Sequence, residues 1–259
     1  MRDRRRSDWI WFVAIGLVAG FLSGLFGVGG GILIVPALVL LAGFEQKRAA
    51  GTSLAAIVPT SLVGVGSYAL TGHVDWLAAL LLAAGAIGGA QLGSLLLDRL
   101  PRRAIQWAFI VFIVVVIISL FLVVPSRDAD VEITVASGAG LVVLGLVVGV
   151  LSGILGIGGG VVIVPMLVLL FGASDLVAKG TSLLVMVPTA ISGTIGNSIR
   201  KNVDLRAAAV VGVAACTTTA LGALVAGAIS PLATTANNRA NAPKGSQSSS
   251  FLFMPRPPA

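Results

Sequence analysis

The chain has 259 residues, of which 57% are apolar, 33 are glycine and only 10% are charged, and its mean hydropathy is +1.04. So few charges cannot cover a water-facing surface, which excludes an ordinary soluble enzyme. Disorder and collagen are excluded as well, because leucine and valine dominate and the glycines follow no three-residue period.

In chain order, residues 1–8 form a basic amino terminus with Arg2, Arg4, Arg5 and Arg6. An arginine-rich start before an apolar stretch also fits a signal peptide over residues 1–19, but the repeat described below reuses this stretch as core, so it is expected to stay. A run of about 20 apolar residues spans a bilayer core. Full-length spans are expected at residues 52–70, 76–97, 104–124, 135–155, 181–199 and 205–229, with no Asp, Glu, Lys or Arg inside them except Arg206 at an end. Residues 32–43 and 161–171 are too short to cross alone, and each follows a glycine cluster. Cys216 is the single cysteine and reads as a thiol packed between helices. His73 is the single histidine and reads as a solvated loop residue, so neither a metal nor a cofactor is expected.

Shifting the sequence against itself by 129 positions brings two halves into register without a gap. Leu22-Ser23-Gly24 falls on Leu151-Ser152-Gly153, and Gly27-Val28-Gly29-Gly30-Gly31 falls on Gly156-Ile157-Gly158-Gly159-Gly160. Pro36 meets Pro165, Gly51-Thr52-Ser53 meets Gly180-Thr181-Ser182, Pro59 meets Pro188, and Val74-Asp75 meets Val203-Asp204. The chain is a tandem duplication.

Lysines and arginines set the orientation. The amino terminus, the Lys47-Arg48 loop and the Arg99, Arg102, Arg103 loop belong in the cytoplasm, while the central loop, with Asp128, Asp130 and Glu132 against Arg127, suits the outside. Residues 9–43 must then begin and end on one face, yet as straight helix they would measure about 52 Å, too long for one upright crossing. A break at Gly27 to Gly31 resolves both problems. The first repeat makes an odd net number of crossings, so the second enters from the opposite face. The expected fold is all-α: a polytopic integral membrane protein of two inverted-topology repeats with helices broken at the glycine clusters.

Glycines permit positive φ and close backbone approach, so a helix can stop, turn and restart within protein. Helices restarting at Ile32 and Val161 would present free N–H groups and a positive dipole end, which suit an anion. Gly51-Thr52-Ser53 and Gly180-Thr181-Ser182 are expected to restart the next helix of each repeat and to add hydroxyls at its amino end. Tight packing through small residues would account for one copy; two copies at matched positions favour a site. Lys179 and Arg48 are candidate cations for drawing in the anion, or loop charges that set topology. Asp75 and Asp204 read as N-caps, and Gln91 and Asn197 as side chains bonding to a neighbouring helix or to substrate.

The tandem Gly-x-Gly-Gly-Gly-x4-Pro elements, Gly27 to Pro36 and Gly156 to Pro165, each followed by Gly-Thr-Ser, resemble the TauE/SafE family of sulfite exporters and related permeases over residues 9–230. The resemblance implies a multi-pass plasma-membrane permease for a small sulfur-containing or organic anion, sulfite or a sulfonate, working by alternating access. The family positions carried over are Gly27, Gly29, Gly30, Gly31, Pro36, Gly51, Thr52 and Ser53, then Gly156, Gly158, Gly159, Gly160, Pro165, Lys179, Gly180, Thr181 and Ser182. Ala50, where the family often has a basic residue, is a departure. The expected substrate-binding set is Gly27, Gly29, Gly30, Gly31, Thr52, Ser53, Gly156, Gly158, Gly159, Gly160, Lys179, Thr181 and Ser182. Pro36, Gly51, Pro59, Pro165, Gly180 and Pro188 are expected to shape the helices.

A larger departure lies at the carboxyl end. The first repeat covers residues 9–124, a linker 125–134, and the second repeat 135–230, followed by a polar tail at 231–259 where the twin of the span at 104–124 should stand. That tail cannot span a bilayer and reads as disordered. The last helix of the second repeat is therefore expected to be missing, through a shifted reading frame near Ser230-Pro231 or a truncation with an unrelated tail, the alternative being a natural variant. The partners expected are a small anion and the lipid bilayer, not nucleic acid, because the net charge of +7 sits in loops and the amino terminus; association with further copies is left open. No nucleophile, acid or metal cluster lies in the spans, so the protein is not expected to be an enzyme. The rival to a permease is a non-transporting member, an assembly partner or a truncated remnant.

Overall fold

The computed structural model of the chain describes residues 6–122 and 135–241, which are almost wholly helical. The first half contributes α1 (Arg6–Phe26), α2 (Gly31–Leu40), α3 (Gln46–Leu70), α4 (Trp76–Arg99) and α5 (Arg102–Leu122). The second contributes α6 (Val135–Leu155), α7 (Gly160–Phe171), α8 (Asp175–Ile199) and α9 (Leu205–Asn241). The chain divides into two compact units, residues 1–226 and 227–259. All packing below belongs to the first; the described part of the second is the final stretch of α9.

Among the described residues six helices are long and apolar enough to cross a membrane: Trp9–Phe26, Gln46–Leu70, Trp76–Arg99, Ser137–Leu155, Asp175–Ile199 and Leu205–Ile229. The short apolar helices α2 and α7 each follow a glycine turn, so α1 with α2, and α6 with α7, form the broken hairpins that the span lengths demanded. The chain is a polytopic all-α membrane protein.

The glycines report how the helices run. A β-carbon added to Gly85, Gly89 or Gly93 of α4 would collide with the carbonyl oxygens of Val142, Leu146 and Val150 in turn, so α4 and α6 are parallel and in backbone contact. Gly16, Gly20 and Gly24 of α1 meet Val211, Ala215 and Thr219 of α9 in the same way, at positions related by the repeat. The central pair is opposite in sense: Gly51 of α3 faces Asn202 just past α8, and Gly64 faces Leu183 near the start of α8. Equivalent helices α3 and α8 are thus antiparallel, which is what an inverted repeat requires. Without side chains between them, α4 and α6 gain close van der Waals contact and Cα–H···O approaches, which is how small-residue stripes join helices where lipid offers no hydrophobic contrast.

α9 runs on to Asn241, past the expected end of the second repeat at residue 230. Ala233, Ala236 and Ala240 are strong helix formers, and a helix already nucleated propagates through polar residues at little cost. Residues 231–241 are therefore helical where the sequence suggested disorder. The expected linker at 125–134, and the remainder of the tail, lie outside the described residues.

Candidate substrate site at the glycine breaks

At the first break Gly27, Gly29 and Gly30 have φ of 70°, 70° and 72°, and at the second Gly156, Gly158 and Gly159 have 73°, 84° and 90°. Side-chain-bearing residues rarely adopt these angles, so the clusters are what lets each chain reverse inside the bundle. α2 and α7 restart at Gly31 and Gly160, one residue earlier than expected. The Gly30 carbonyl accepts from the Leu33 and Ile34 amides, both at 3.0 Å, and the Gly159 carbonyl from Val162 and Ile163, both at 3.1 Å. The amides of Gly31, Ile32, Gly160 and Val161 have no acceptor in their own helix and carry the positive end of its dipole.

The two breaks meet. A β-carbon on Gly31 would strike the Ile157 backbone, and one on Gly160 would strike the Gly27 carbonyl and lie 3.1 Å from the Val28 α-carbon. Gly29 and Gly158 both face Ile57 and Met186, which are repeat mates halfway along α3 and α8. Both side chains are fully buried. They fill the space between the breaks that the sequence suggested would be lined by hydroxyls.

The Gly-Thr-Ser elements correct that expectation. α3 starts at Gln46 and α8 at Asp175, the latter capped by Ser174 accepting from the Val177 amide, so both elements lie in the second turn and not at the helix start. Gly51 and Gly180 are tolerated inside helices because each packs on a loop carbonyl, of Asn202 and His73 respectively. Thr52 Oγ1 accepts from the Asp204 amide and Thr181 Oγ1 from the Asp75 amide, both at 3.0 Å. These two hydroxyls join one repeat to the other. Ser182 Oγ donates to the Gly27 carbonyl at 2.6 Å and so does touch the first break, whereas Ser53 Oγ is buried without a partner.

Lys179 packs its backbone and stem against Gly27, with its Nζ held 2.6 Å from Asp175 Oδ2. In the first repeat Ala50 takes that place against Gly156. Arg48 is directed elsewhere, 2.9 Å from Asp204 Oδ2 and over the Phe44 ring. Asp75 caps α4 by accepting from the Leu77 and Ala78 amides, and Asp204 accepts from the Ala207 amide, so both serve as the N-caps expected. Gln91 donates to the Ser192 carbonyl and hydroxyl on α8, at 2.8 and 3.0 Å, a bond between helices. Asn197 instead donates to Gly193 in its own helix. His73 meets Thr71 Oγ1 in its exposed loop.

Pro36, Pro59, Pro165 and Pro188 all lie inside helices, where each removes one backbone hydrogen bond near the core. The following threonines, Thr60 and Thr189, donate to the Ala56 and Val185 carbonyls. Of the expected set, the structure brings together both glycine clusters, Ser182 and Lys179; Thr52 and Thr181 are spent on the joints between repeats. Ile57 and Met186 were missed, since an apolar residue in an apolar helix carries no signal of its own. Their matched places in the repeat, midway along the central helices, were the one clue available.

The sequence profile of the family described as Sulfite exporter TauE/SafE matches residues 1–120 and 121–236. Probable membrane transporter protein YunE of Bacillus subtilis is 45% identical over 93 residues, covering 36% of this chain and 34% of that protein. Probable membrane transporter protein YdhB of the same organism is 30% identical over 187 residues, 71% of this chain and 76% of that protein. A Probable membrane transporter protein of Haemophilus influenzae is 33% identical over 160 residues, 59% of this chain and 60% of that protein. No solved structure matches the chain at a significant level.

Proposed function

The chain belongs to the sulfite exporter TauE/SafE family and is a multi-pass membrane transporter, and from that premise we propose that it moves a small sulfur-containing or organic anion, sulfite- or sulfonate-like, across the plasma membrane. The observation that carries this reading is the meeting of two glycine breaks at the level where Ile57 and Met186 stand halfway along α3 and α8. Two helix starts with unclaimed amides then lie near the middle of the bundle, where an inverted-repeat transporter binds its substrate. The relatives are named as transporters and not as enzymes.

Transport proceeds by alternating access, one repeat rocking against the other about the crossed joints. Ile57 and Met186 close the space between the breaks, and the anion enters when they withdraw. Met186 is suited to this, since an unbranched thioether with three rotatable bonds repacks at low cost. Lys179 stands beside the first break with its ammonium paired to Asp175, and it supplies positive charge to an arriving anion only by exchanging that partner.

Sulfite and methanesulfonate flux in proteoliposomes tests the proposal. The wild-type chain should carry at least one of them, and Gly31→Leu and Gly160→Leu should abolish flux. Gly88→Ala, at a position with open space around it, should stay active. Folded wild-type protein that moves neither anion overturns the reading.

A further inference from the structure

Two hydroxyls at the breaks have no role in the fold described so far. Ser23 and Ser152 are repeat mates, 0% and 1% exposed, and neither Oγ has a hydrogen-bond partner. Each stands one turn before its break: the Ser23 carbonyl accepts from the Gly27 amide and the Ser152 carbonyl from the Gly156 amide, both at 2.8 Å. The Ser152 β-carbon lies 3.8 Å from where a β-carbon of Gly159 would stand, and Gly159 is the residue that caps the start of α7. The Ser152 side chain thus stands beside the residue that caps the start of α7.

A buried hydroxyl in a helix ordinarily donates to its own carbonyl three or four residues back. Ser61, Ser94, Thr189 and Thr219 all do so in this protein. Ser23 and Ser152 do not, and an unpaired buried hydroxyl is costly enough that its occurrence at both matched positions asks for a reason. Ser53 is also buried and unpaired, but its mate Ser182 donates to the Gly27 carbonyl, so the architecture itself accounts for that position. No such account exists for either member of the Ser23 and Ser152 pair.

We propose that Ser23 and Ser152 are ligands of the transported anion, each hydroxyl donating to an oxygen of a small oxyanion whose remaining oxygens take the free amides at the starts of α2 and α7. The proposal rests on the permease reading and adds the side-chain donors that reading lacked once Thr52 and Thr181 were found in the joints. One donor comes from each repeat and the amides take what remains, so the ligand class is an anion with at least three acceptor oxygens. Hydroxyls and amides are neutral, and a site built from them can release its anion without breaking a salt bridge, as a transporter must on each cycle.

The test measures sulfite and methanesulfonate binding to the purified full chain by calorimetry, alongside its thermal stability without anion. Ser23→Ala and Ser152→Ala should each weaken binding by about tenfold or more, as loss of a hydrogen bond to a charged group does. Both should leave the apo protein as stable as wild type or more so, because each removes an unsatisfied buried group. Thr189→Val, which deletes a satisfied hydroxyl elsewhere in the core, should leave affinity unchanged. Affinity retained in the Ser23→Ala, Ser152→Ala double variant, while Gly31→Leu and Gly160→Leu lose it, overturns the serine assignment and leaves the permease reading standing. Lowered apo stability with unchanged affinity assigns the serines to packing and overturns it too. If the wild-type chain binds neither anion, both readings fall together.

Discussion

The two joints between the repeats are built alike and finished differently. At each, a glycine inside a central helix packs on a loop carbonyl, Gly51 on Asn202 and Gly180 on His73, and the next residue's hydroxyl accepts from an aspartate amide. At the end that carries Lys47 and Arg48, Asp204 is 9% exposed and paired with Arg48. At the other end Asp75 is half-buried and, among the described residues, forms no ion pair. The breaks differ in parallel: Gly27 packs on Lys179 and accepts from the Ser182 hydroxyl, while Gly156 packs on Ala50, and Ser53, the mate of Ser182, is buried without a hydrogen-bond partner. Duplication preserved the backbone contacts, which neither copy can alter without separating helices, and left the polar finish free to diverge.

Three pairs of substitutions probe this comparison. The largest effect is expected at the shared element: Gly51→Leu and Gly180→Leu each force a side chain into a loop carbonyl and should cost roughly 3 kcal/mol or more. Both should sharply reduce the folded, monodisperse protein recovered in detergent, and survival of one alone would show that the backbone contacts are not equivalent. The aspartates come next. Asp75→Ala should cost about 1 kcal/mol for a lost N-cap, and Asp204→Ala about 2 kcal/mol because it also strips a half-exposed Arg48 of its partner. Thermal unfolding in detergent should rank the two in that order, and equal shifts would remove the ion pair from the account. The smallest difference is at the serines: Ser182→Ala should destabilise by about 1 kcal/mol, while Ser53→Ala should be neutral or slightly stabilising.

The architecture was legible because its punctuation is covalent. Positive-φ turns need glycine, and the two clusters fixed both breaks to within a residue. Capping aspartates were equally plain, since Asp75 and Asp204 precede long apolar runs. What failed was the assumption that a glycine before Thr-Ser marks a helix start. Gly51 and Gly180 are small because another backbone touches them, and no local pattern separates that cause from a turn. The true start of α8 was signalled by Ser174-Asp175, a hydroxyl cap followed by a first-turn acid. Ile57 and Met186 were silent for the opposite reason: their importance lies in what they face, the glycines of two distant turns.

The pairing of α4 with α6 and of α1 with α9 has a consequence for biogenesis. Gly16, Gly20 and Gly24 of α1 meet their carbonyl partners on α9, which is made after all the helices that lie between them in the chain. Until α9 is made that bare stripe stands in the bilayer without its partner, and neither half of the chain can complete its own packing. Two halves produced as separate polypeptides should therefore be degraded when expressed singly and recovered when expressed together.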